Sequence, residues 1–89
     1  MANSYNTSSV GTTAVKVIAA NTWRRGFNVY NEGSVKCYIG FDASVTTSTG
    51  TTVLPTASFT SDGLNNYKGD VYMISGSAAQ DIRFMEWTM

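Results

Sequence analysis

From Arg24 to Pro55 the chain reads RRGFNVYNEGSVKCYIGFDASVTTSTGTTVLP, a stretch in which apolar side chains recur at every second position and are interrupted by clusters of turn-forming residues. A period of two is the pattern of a half-buried strand, because successive side chains leave a strand on opposite faces. Phe27 and Val29 fall on one face, Asn28 and Tyr30 on the other. Asn31-Glu32-Gly33-Ser34 then forms a turn cluster, with Gly33 available for positive φ, and Val35, Cys37, Ile39 and Phe41 share one parity on the return strand. The segment predicts a β-hairpin of two half-buried strands. Residues spent in this way on architecture point to a structural or binding module.

The rest of the chain continues the pattern. Ala14–Ala20 reads as a first strand, and Asn21-Thr22-Trp23 as a corner. Residues 42–52, DASVTTSTGTT, suit a polar loop or an irregular edge ribbon, since β-branched threonines favour extended backbone. Short strands around Val53-Leu54 and residues 57–60 flank Pro55, which argues for a sheet edge or a bulge. Residues 61–68, SDGLNNYK, are a long turn; Asp62, Asn65 and Asn66 offer oxygens, but their spacing matches no calcium loop. Residues 69–75 and 80–88 are two further strands around a small-residue turn. No segment carries a convincing helical period. These elements predict an all-β fold: an antiparallel β-sandwich or small jelly-roll-like barrel of about seven short strands. One domain is expected over residues 14–89, preceded by a flexible, polar N-terminal arm over residues 1–13.

Charge and cysteine content narrow the chemistry. Six basic and six acidic side chains give a net charge of zero, and there is no histidine. Duplex nucleic acid is an unexpected partner, because such binding rests on neutralising phosphates. Without histidine the chain lacks the usual general base near neutral pH and the commonest metal ligand. The single cysteine, Cys37, excludes an intrachain disulfide and a zinc cluster, and its parity makes it a small core residue. Asp42, Asp62, Asp70, Asp81, Glu32 and Glu86 show no acid/base pair in the sequence. The expectation is a protein that is not an enzyme, with no catalytic residue, no metal site and no cofactor. No apolar run is long enough to cross a bilayer, so no membrane partner is expected. MANSYNTSSVGTT has neither a basic n-region nor an apolar h-region, which predicts a product made in the cytoplasm without a secretory signal.

Residues 80–88, QDIRFMEWT, place Ile82 and Phe84 on one face and Arg83, Met85 and Trp87 on the other. The second face is unusually apolar for one left in water. Met85, Trp87 and Met89, with Tyr5 and Val10 of the arm, are therefore the candidate subunit or partner interface.

The order of segments, AAN, then RRGFNVYNEGSVKCYIGFD, VTTSTGTTVLP, NYKGDVYMIS and a last strand ending in ME, resembles the small β-sandwich virion structural proteins of tailed bacteriophages, of the head decoration or cement type. The resemblance covers most of residues 14–88 and rests on Arg25, Tyr30, Asn31, Tyr38, Gly40 and Gly50. It implies architectural roles: Asn31 and Gly33 closing the hairpin, Gly40 allowing close approach of a neighbouring backbone, and Arg25 pairing with Glu86 across a sheet edge. It also implies a capsid decoration protein on the virion surface that self-associates, a homotrimer being favoured over a homodimer, and clamps adjacent major capsid subunits. The alternative is a receptor- or glycan-binding module of a phage fibre or tail, with Tyr67, Tyr72, Trp23, Asn65 and Asn66 as the residues to do it. Pro55-Thr56-Ala57 departs from the family pattern and leaves the register of the following strand open.

Overall fold

The computed structural model describes residues 2–62, 67–77 and 79–88, with side-chain surroundings from Thr7 onward. The described residues form eight antiparallel strands and no helix: β1 (Ala2–Val10), β2 (Val15–Ile18), β3 (Arg24–Asn31), β4 (Cys37–Gly40), β5 (Thr51–Val53), β6 (Ser58–Asp62), β7 (Val71–Ser75) and β8 (Gln80–Thr88). They make two four-stranded sheets, ordered β1-β8-β3-β6 and β2-β7-β4-β5. Strand pairing is nested: β1 with β8, β2 with β7, β3 with β6 and β4 with β5. A single long antiparallel ribbon rolled on itself produces that nesting, which is the topology of a jelly roll. The antiparallel sandwich expected from the period-two pattern is what the chain forms.

The core lies between the sheets. Val10, Phe27, Val29 and Ile82 come from the first sheet and Val17, Ile18, Cys37, Ile39, Val53, Val71 and Met73 from the second. Phe59 and Phe84 pack against them from the first sheet, Val15 from the second. The buried pattern of β7 (Val71, Met73 and Ser75 in; Tyr72 and Ile74 half-exposed) shows the alternation of a sandwich strand.

Three local expectations are corrected. The segment expected to be a flexible arm is β1, paired residue for residue with β8 from Ala2 opposite Thr88 to Val10 opposite Gln80. Its polar side chains say little about burial, but the ladder to β8 holds its backbone along one side and Val10 anchors it in the core with no exposed surface. Residues 27–41 are not a hairpin: β3 belongs to one sheet and β4 to the other, so 32–36 is a corner crossing between layers. Both strands show alternation because both face the core, from opposite sides. Phe41, expected inward, lies just beyond the end of β4 and is 45% exposed.

Candidate functional site

At one end of the sandwich the loops converge on Arg24. A register shift between Arg24 and Gly26 against β8 makes Arg25 the extra residue of a bulge. Bulging resets the parity, so that Arg24 faces inward like Phe27, three residues on, while Arg25 is exposed. The guanidinium of Arg24 is fully buried and fully engaged. Nε donates to Glu86 Oε2 at 2.6 Å, Nη1 to the carbonyls of Tyr67 and Gly69 at 2.9 and 3.0 Å, and Nη2 to the Ala19 carbonyl at 2.7 Å. Its carbon sits 5.3 Å from the Phe27 ring centroid. One side chain thus ties the β2–β3 and β6–β7 connections to β8. Beside it, the Tyr67 ring stacks on Phe41 at 3.8 Å, and its hydroxyl lies within hydrogen-bonding reach of the Asp70 and Phe41 carbonyls. Burial, then the neighbouring Asp70 charge, push the Tyr67 phenol up from its ordinary pKa.

The opposite end is closed by Asn31 and Gln80, both buried. Asn31 Nδ2 donates to the carbonyls of Val35 and Val53 at 2.9 and 3.0 Å, and its Oδ1 accepts from the Gly33 amide at 2.9 Å. Gln80 Oε1 accepts from the Ser34 and Val35 amides at 2.8 and 3.2 Å. The glutamine side chain lies so close to Gly33 that a Cβ there would collide with it. Gly40 and Gly50 flank the side chain of Val45, which the 42–50 loop inserts over β4. At Gly40 the close approach expected from a backbone is made by that side chain. Asp42 accepts from the Ser44 amide and hydroxyl, which hold its carboxyl below the ordinary carboxylate range.

The residues singled out as an interface fall in two places among the described residues. Val10 belongs to the core. Met85 and Trp87 are half-buried on the outer face of the first sheet, opposite Asn28 and Gly26 of β3. The Trp87 indole covers Gly26 closely enough that a Cβ there would overlap it. The Tyr5 backbone sits opposite Met85 in β1. The Tyr5 side chain and Met89 lie outside the described residues, as do Asn65 and Asn66. Trp23, in the β2–β3 connection, is 67% exposed, and Tyr72 is half-buried on the outer face of the second sheet. Arg25 does not meet Glu86; its neighbour Arg24 does.

Surface chemistry is sparse. An open hollow of ≈ 510 Å³ lies between Tyr38, Leu54, Pro55 and the turn at Gly76 and Ser77. Among the described residues no three metal-ligating side chains come together, and no helix is long and apolar enough to cross a membrane. Cys37 is wholly buried, and burial raises its thiol pKa against the weaker lowering influence of a bond to Ser75. Arg24 and Gln80, which organise the two ends, were not among the sequence candidates. A signal for Arg24 was present: it opens a strand two residues before Gly26, and glycine near a strand end is where bulges form.

No protein-family model matches the chain, and no curated protein matches it. A solved chain from Bacillus endospore appendages, described as forming a novel family of disulfide-linked pili, shares the fold with a TM-score of 0.58 at 15% identity. The match covers 99% of this chain and 86% of that one. It overturns the expectation of a bacteriophage capsid decoration protein clamping a major capsid protein, the phage-fibre alternative, and the virion location, since the neighbour is a bacterial appendage.

Proposed function

We propose that this chain is a non-enzymatic structural subunit that associates with copies of itself through non-covalent contacts. The observation that carries this reading is the end-to-end likeness of the jelly roll to a pilus-forming chain, spanning 99% of the residues. The interior supports it: the buried polar groups Arg24, Asn31 and Gln80 are spent on fastening loops. The pili of the neighbour are described as disulfide-linked. This sequence has one cysteine, and it is buried in the core, so the links between its copies are non-covalent.

Sedimentation velocity and light scattering over a wide concentration range, with and without a thiol reductant, test the reading. The expected result is a mass that is a multiple of the 9.6 kDa chain, unchanged by reductant. A single-chain mass at every concentration up to the solubility limit overturns it.

A further inference from the structure

The four sheet edges are protected very differently. β2 is four residues long, carries Lys16 and has a bulge between Lys16 and Ile18. β5 has only three residues, and β6 has five and ends on Asp62. β1 runs for nine residues in unbroken register with β8. The sequence has neither a charged residue nor a proline before Lys16. Soluble proteins blunt a sheet edge with brevity, charge, proline or a bulge, because an edge offers a row of outward N–H and C=O groups to any extended chain. β1 has none of these devices.

Resting on the reading of the chain as a self-associating subunit, we propose that the outer edge of β1 is the surface by which two copies join. β1 runs antiparallel to β1 of a second copy about a twofold axis, and two four-stranded sheets become one of eight. Length selects this partner. Against the five residues of β6, the longest of the other edges, four of the nine positions of β1 would stay unpaired. Against itself all nine pair, a ladder of roughly 30 Å at about 3.4 Å per residue. Charge permits it as well: every position of β1 would meet another position of β1, and no position carries a charged side chain. The contact is isologous and closes at a dimer, so any larger assembly is built from such dimers through a second surface.

Full overlap centres the axis on residue 6, so Thr7 of the two copies lie diagonally across it, about 7–8 Å apart. Thr7 is exposed, which makes Thr7→Lys and Thr7→Glu suitable probes, with far-UV circular dichroism and urea midpoints reporting that each still folds. Each variant alone is expected to weaken association about fivefold or more, and an equimolar mixture to restore it as a Lys/Glu heterodimer. If both variants associate like the unaltered chain, β1 is outside the interface and this inference falls while self-association stands. If each weakens but the mixture does not recover, β1 meets some other strand and the twofold pairing is overturned. If the unaltered chain is itself a single-chain species, both readings fall.

Discussion

Arg24 reaches across the start of β3 to Glu86 of β8, its Nε 2.6 Å from Oε2, while its neighbour Arg25 stands in solvent. The bulge at Arg25 decides which of the two arginines is interior. Removing a partner from a buried, hydrogen-bonded pair leaves the other group and its carbonyl acceptors uncompensated, at about 3–5 kcal/mol. Arg24→Ala is therefore expected to lower unfolding stability by that amount in urea titrations, and Arg25→Ala to change it by about 0.5 kcal/mol or less. Equal effects of the two substitutions would place the bulge elsewhere.

The same pair shows how far the sequence could be read. Strict alternation back from Phe27 and Val29 also puts Arg25 inward, in line with the pairing of Arg25 with Glu86 that the family resemblance implied. Glu86 was found because β8 keeps its register; Arg24 was missed because a bulge is a property of two strands together, and one strand's pattern does not record it. Strand content was legible because the period-two burial of 27–31 and 71–75 is local. Partnership was not: the 32–36 corner has the composition of a hairpin turn, and it is the pairing of β3 and β4 into different sheets, with Asn31 bonding to Val53 and Gln80 to Ser34, that shows it passes between layers. β1 was hidden for a related reason, since its place comes from backbone pairing that polar side chains do not announce.

Pro55-Thr56-Ala57, which left a register open in the sequence, is a tight turn in which the Ala57 amide donates to the Leu54 carbonyl. Thr56 holds φ at 63°, a left-handed conformation that β-branched residues avoid. With proline before it, the turn has the type II pattern, whose third position is normally glycine. Thr56→Gly relieves strain of order 1–3 kcal/mol and gives back about 0.5–1 kcal/mol in chain entropy. A net gain near 1 kcal/mol is expected as a higher urea midpoint with unchanged slope. A loss of stability would mean that the Thr56 backbone is unstrained.

β1 is an integral strand, and its removal should be felt. Val10 has no exposed surface, so Val10→Ala is expected to cost about 2–3 kcal/mol through lost burial and the cavity left behind. Deleting residues 1–10 also strips β8 of its ladder along nine residues and turns a central strand into an edge. Far-UV circular dichroism and urea unfolding of the truncated chain should report loss of the cooperative transition or a midpoint far below that of the full chain. A truncated chain as stable as the full one would make β1 the dispensable arm that its composition suggests.

Cys37 is where a disulfide-linked assembly of this chain can be tested. Its side chain is buried between Val53 and Ser75 in register, and burial raises the thiol pKa. A thiol raised in the folded state stays protonated while the unfolded chain's thiol, near 8.5, ionises. Below that value the contribution to stability is fully present, and it is lost as pH rises from about 8.5 through the folded pKa. Urea stability measured from pH 7 to pH 10 should therefore fall more steeply in the unaltered chain than in Cys37→Ala, whose other titrating groups are the same. In the folded protein a thiol reagent should label Cys37 only at the rate of unfolding, and reductant should leave the oligomer mass untouched. Fast labelling under native conditions together with loss of mass on reduction would show that the thiol reaches the surface and that copies are joined through it, which is the covalent scheme the buried position argues against.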